Sequence, residues 1–205
     1  MKDFEKNVFV NCPFDQEYRP LLHVLIFTLL YLGFRPRLAL ERSDSGESRL
    51  HKIVELIHES KFGIHDLSRC QAHEKDELFR LNMPLELGID MGCKYFPGKR
   101  WKTKRLLVLE TERYRYQAAI SDLSGCDIKA HQNDADLLIK AVRDWLVQEA
   151  SLNQAPPVSE MSSAFQDFYG SEYDRLRHSG WTEQEIAHLP TDELKRNMMT
   201  WMASR

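Results

Sequence analysis

Apolar positions fall along this chain in two alternating kinds of run. Residues 8–12 and 105–109 are short, nearly continuous apolar runs, the length and texture of strands buried on both faces, and 34–40 and 61–67, the latter centred on Phe62-Gly63-Ile64, read as strands of similar length. Residues 18–32, 49–60, 78–91 and 135–150 are longer, with apolar residues recurring every three to four positions, as on one face of a helix. In the second of these, Leu50, Ile53, Val54, Leu56 and Ile57 share one broad face. Local chemistry marks the boundaries. Pro13 stops the first strand, Gly33 ends the first helix, and Pro84 is tolerated near a helix start. Residues 43–46 read as a loop, 71–76 as a loop or first helical turn, and 110–125 as irregular or partly helical, with a short fifth strand beginning at Ile128. Strands alternating with helices predict an α/β fold, a parallel sheet of about five strands covered by helices on both faces.

Gln154-Ala155-Pro156-Pro157 interrupts the alternation. The expected division is an α/β domain over 1–150, a linker over 151–158 and a C-terminal helical pair over 159–205. Ser179-Gly180-Trp181 separates the two helices, and Thr182 with Glu185 forms a capping-box signature at the second. The pair carries Phe165, Phe168, Tyr169, Tyr173, Trp181 and Trp201. These aromatics read either as packing onto the first domain or as a docking surface for another subunit or a regulatory protein.

Charge narrows the function classes. There are 28 Lys+Arg against 31 Asp+Glu, a net charge of -3, with the signs mixed throughout. Non-specific coating of nucleic acid needs a basic excess or stripe, so it is not expected. The four cysteines form no CxxC pair, and no His or Cys joins His65 or His131 at ligand spacing, so no metal site is expected. Met1–Lys6 is charged and leads straight into a strand, unlike a signal peptide. The longest apolar run, 21–32, is too short to cross a bilayer. A reduced, cytoplasmic protein without a membrane partner is the expectation. No GxGxxG, Walker or GxSxG motif is present.

Ligands of an open parallel sheet bind outside the carboxyl ends of the strands. The first strand delivers Asn11, Pro13, Phe14 and Asp15 to that rim, and the third delivers Asp66, Ser68 and Arg69. Asn82-Met83-Pro84-Leu85-Glu86-Leu87-Gly88 then sets a carboxylate inside an apolar helical segment. A charge among apolar neighbours is costly unless it is paired, hydrogen-bonded or functional. Glu86 therefore either faces a pocket or pairs with an arginine such as Arg80.

The runs VFVNCPFD, FGIHDLSR and NMPLELG, in this order, resemble the nucleoside 2-deoxyribosyltransferase-like group and its relatives, the TIR-type NAD-cleaving domains. The resemblance covers about the first 150 residues. The later Ser121-Asp122-Leu123-Ser124-Gly125 is similar to bacterial anti-phage effectors of this group, including those paired with retrons. It implies a flavodoxin-like sheet with a C-terminal helical extension, and an N-glycosidase whose catalytic glutamate is Glu86. Asp66 would orient the leaving base, Asn11 and Ser68 would hold sugar hydroxyls, and Phe14 would stack on the base. Arg49 and Arg69 would meet a phosphate, with Pro13, Asp15 and Asn82 completing the pocket. The bland alternatives are a backbone-bonded Asn11, a core Phe14, a turn-capping Asp66, and Arg49 and Arg69 paired with Glu41 or Asp44. The implied ligand is a nucleotide-like small molecule. NAD enters as a possible substrate, with no cofactor and no metal, in a homo-oligomer. Two other functions stay open: a non-catalytic nucleotide-sensing or scaffold domain, and synthesis of a cyclic nucleotide signal from NAD. The usual C-terminal carboxylate or Asn of the transferases gives way here to the helical extension, which favours hydrolysis over base exchange.

Overall fold

The computed structural model describes residues 3–69, 81–96, 98, 100–118 and 120–205. The expected loop at 71–76, the first residues of the helix expected over 78–91, Cys70 and Arg80 lie outside them. Five strands form one sheet: β1 (Asn7–Asn11), β2 (Arg35–Arg37), β3 (Phe62–Asp66), β4 (Arg105–Glu110) and β5 (Lys129–Ala130). Their order is β2-β1-β3-β4-β5 and every neighbouring pair is parallel. This is the flavodoxin-like order, with its switch point between β1 and β3. The two strands flanking that point, β1 and β3, are buried along their whole length.

Helices α1 (Arg19–Tyr31), α4 (Ala135–Glu149), α5 (Val158–His178) and α7 (Thr191–Ala203) pack together on one face. Helices α2 (Arg49–His58) and α3 (Asn82–Tyr95) pack together on the other. The period-2 alternation of strand side chains sorts the core between them. Val8 and Val10 of β1, Phe62 and Ile64 of β3, and Leu107 and Leu109 of β4 join the α1/α4 cluster. Phe9 meets Ile53, Leu56 and Ile57 of α2, while Val108 meets Met83 and Leu87 of α3.

Three boundaries differ from the sequence pattern, and the simplest is α3, expected to end at 91 and running on to Tyr95. The strand expected over 34–40 is only three residues long. Gly33 takes a left-handed φ of 76°, and the N–H groups of Gly33 and Phe34 close onto the carbonyls of Leu30 and Leu29, so Phe34 belongs to the helix cap. Beyond β2, the Leu38 N–H donates to Glu41 Oε1 at 3.0 Å and the chain bends into a 3-10 turn, Ala39–Glu41. The helix expected over 182–203 is two, α6 (Glu183–Ala187) and α7, so the extension is three helices rather than a pair. Pro190 causes the break: it lacks an N–H and disfavours helical backbone at Leu189. The Thr182–Glu185 capping box is present.

The extension shares the core of the α/β layer. Met161, Ala164, Phe168, Leu194 and Met198 are buried in the same cluster as Phe27 of α1. Phe165, Phe168 and Trp201 ring that phenylalanine at centroid distances of 5.3, 5.8 and 6.0 Å. Tyr169 is 45 % exposed. Arg143 of α4 donates to the carbonyls of Ala155 and Pro156, fastening residues 151–158 alongside. No helix among the described residues is long and apolar enough to cross a membrane.

Candidate functional site at the sheet switch point

Two buried polar networks meet at the carboxyl ends of β1 and β3, one on each face of the sheet. Asp66 ends β3 and points to the α1/α4 side, fully buried. Its Oδ1 accepts the Ser68 N–H at 2.9 Å and the Ser68 hydroxyl. Its Oδ2 accepts the Tyr18 hydroxyl at 2.5 Å and lies 3.0 Å from His131 Nε2. The Asn133 N–H donates to His131 Nδ1 at 3.1 Å, which leaves the proton on Nε2, facing Asp66 and Ser68 Oγ. A carboxylate offers about four acceptor positions, and here all four are taken. Burial alone would raise the Asp66 pKa, but the His131, Ser68 and Tyr18 bonds outweigh it and the carboxyl is held below its ordinary value.

The second network lies under α3. His65, fully buried, places Nε2 3.1 Å from Asp90 Oδ2. Asp90 Oδ1 lies 3.0 Å from Lys104 Nζ, an ion pair whose angle falls outside hydrogen-bonding geometry. Lys104 Nζ also donates to the carbonyls of Ile57, at 2.8 Å, and Ser60. At the other end of the imidazole, Asn11 Nδ2 donates to His65 Nδ1 at 3.0 Å and to the Met83 carbonyl at 2.9 Å. The chain Lys104–Asp90–His65–Asn11 thus ends on the first turn of α3. Gly63 gives this network its space, since a Cβ there would strike Asp90 Oδ2 and come within 2.9 Å of Leu106.

Glu86 stands one turn above Asp90 on the same buried face of α3. The two carboxyls are treated oppositely. Asp90 has Lys104; Glu86 has only Arg49 Nη2, 3.9 Å away on a side chain 56 % exposed, and no hydrogen bond among the described residues. Burial pushes the Glu86 pKa up to about 7, with Arg49 pulling weakly the other way. The buried Cys12 thiol, just after β1, is pushed well up, by burial first and then by Asp66, Glu86 and Asp15. Cys12 is therefore a protonated thiol rather than a nucleophile.

The remaining expected site residues divide. Pro13 is buried at the strand end, and Phe14 packs, half-buried, against the α1/α4 cluster. Both Asn11 N–H groups are engaged internally, leaving its carbonyl oxygen for a ligand. Asp15 accepts the Tyr18 N–H at 3.0 Å. Arg69 pairs with Asp15 at 3.5 Å and Glu17 at 2.7 Å, not with Glu41 or Asp44. Asn82 opens α3 and is exposed. Sequence reasoning missed Tyr18, His131, Glu110 and Arg115. Arg115 bridges the rim, donating to the Ser68 carbonyl at 2.6 Å and to buried Glu110 at 2.7 Å. The available signal was positional: Glu110 and His131 follow β4 and β5 as Asn11 and Asp66 end β1 and β3.

No metal-ligating cluster of three or more His, Cys, Asp or Glu occurs among the described residues. No protein-family model matches the chain, and a search of curated proteins returns no match.

Proposed function

We propose that this protein cleaves the N-glycosidic bond of a nucleotide-like substrate and that Glu86 is the reacting carboxyl. One observation carries the reading. Glu86 is a buried glutamate at the switch point with no hydrogen bond among the described residues and a pKa near neutrality, while every other buried acid around it is tied to a partner. Leaving a carboxyl undersatisfied costs stability, and sites that run acid–base chemistry are where such groups collect.

In hydrolysis the C1′–N bond breaks and its electron pair leaves with the base. A cationic nicotinamide departs neutral; a neutral base leaves as its anion and takes up a proton from solvent. The positive charge left on the sugar is stabilised by the Glu86 carboxylate, which accepts a proton from the water that attacks C1′. Asp66 acts as a positioning residue, holding Tyr18, Ser68 and His131 at the rim. Arg49 offers its exposed guanidinium to a phosphate and its charge to Glu86.

The test is release of free base from NAD and a panel of nucleosides and nucleotides, followed by chromatography with Glu86→Gln in parallel. Release by the wild type that falls at least about a thousandfold in the variant supports the reading. Ligand binding without turnover by either protein favours the sensing domain, and a cyclic product identified by its mass favours signal synthesis. An NAD-cleaving effector of phage defence would also deplete NAD and arrest growth when expressed. Glu86→Gln is expected to relieve both, as read from cellular NAD and colony counts.

A further inference from the structure

Behind Asp66, on the face of the sheet away from Glu86, lies a cavity of ≈ 680 Å³ between α1, the turn that opens α4, and α5. Its size falls in the range of small-molecule sites, about 300–1,000 Å³. The walls are mostly rings and aliphatic groups: Tyr18, Leu21 and Val24 from the α1 side, Phe165 and Tyr169 from α5. Phe165 and Tyr169 are neighbours at 5.8 Å, and the exposed Tyr169 ring also faces His23 at 6.5 Å.

The polar groups restrict the ligand. His23 is held uncharged at neutral pH, its pKa lowered to about 4 by burial and by Arg19. The imidazole has no hydrogen bond among the described residues, so it offers one donor and one acceptor to a ligand. Arg69 reaches the cavity but is already matched by Asp15 and Glu17, and Glu17 itself lines the wall. A phosphate would meet the Glu17 carboxylate on the wall and an Arg69 already paired with two acids. A flat, neutral ring with donors and acceptors on its edge meets stacking partners and an open imidazole.

We infer that this cavity is a second binding site, selective for an uncharged nucleobase and separate from the Glu86 rim. It is wired to that rim by two contacts. The Tyr18 ring lines the cavity while its hydroxyl donates to Asp66. Asn133 lines it while its N–H donates to His131, another partner of Asp66. Under the N-glycosidase reading the free base is the reaction product, so the site would sense product. That role rests on the reading, whereas the binding itself does not.

The experiment is calorimetric titration of the purified full chain with adenine, for the wild type, Tyr169→Ala and Tyr169→Phe. Saturable binding is expected, about tenfold weaker in Tyr169→Ala and restored in Tyr169→Phe, which keeps the ring. Circular dichroism checks that the alanine variant is folded, and Tyr169 is exposed enough for the change to be benign. No saturable binding of adenine by the wild type would overturn the inference, as would an affinity in folded Tyr169→Ala within about twofold of the wild type. Adenine binding in a protein that releases no base from any substrate would retain the cavity and remove the glycosidase.

Discussion

Glu86 and Asp90 show how one helix face can treat two acids differently. Asp90 is neutralised by a lysine at 3.0 Å, while Glu86 meets only a distant, solvated arginine. The raised pKa has a thermodynamic consequence. The folded state holds the Glu86 proton more tightly than the unfolded chain, whose value is near 4.5. The Glu86 contribution to stability therefore falls as pH rises from about 4.5 to about 7, and its full penalty is present above that window. Glu86→Gln removes it. The variant should gain up to about 3 kcal/mol over the wild type at pH 8 and little at pH 4.5, measured by urea denaturation at both values. Glu86 was legible in the sequence because a charge stands out in an apolar helical run. Tyr18 and His131 were not: nothing local links positions 18, 66 and 131, and only the sheet order brings them together.

At the scale of elements, α3 is seated by the buried ionic chain beneath it. Asp90→Asn leaves Lys104 charged and unpaired in the interior, which should cost about 3–5 kcal/mol of stability by denaturant titration. Gly63→Ala drives a methyl into the same carboxylate, so the two changes break one interaction. The double variant should lose at least about 1 kcal/mol less than the sum of the singles, a coupling that separate packing defects would not produce. Sequence periodicity located α1, α2 and α4. It overran where local chemistry outweighs pattern. Gly33 turns Phe34 into a cap residue, and Pro190 divides a continuous apolar rhythm into α6 and α7. Lys104 was silent for a related reason, since a lysine at a strand start reads as surface until its buried partner is known.

At the scale of the molecule, the C-terminal helices complete the layer over α1 and α4. Phe168, fully buried against Phe27 and Trp201, is the measure of that union. Phe168→Ala should cost about 3–5 kcal/mol and lower the melting of the whole chain in one transition; a separate early transition confined to the extension would contradict this. The α/β alternation was legible because β1 and β4 leave apolar runs between helical stretches, whereas β2, Arg-Pro-Arg, carries no such run. The sharing of one core across residues 151–158 was not, because a proline pair reads as a linker until Arg143 is seen to grip its carbonyls. The proposed cleavage rests on one buried carboxyl, Glu86, and the pH dependence of single-turnover base release tests that role most directly. Release should rise through an inflection near pH 7 as Glu86 ionises, and be absent at every pH in Glu86→Gln. Release that survives in Glu86→Gln with the same inflection would contradict the assignment and move the chemistry to another group at the rim.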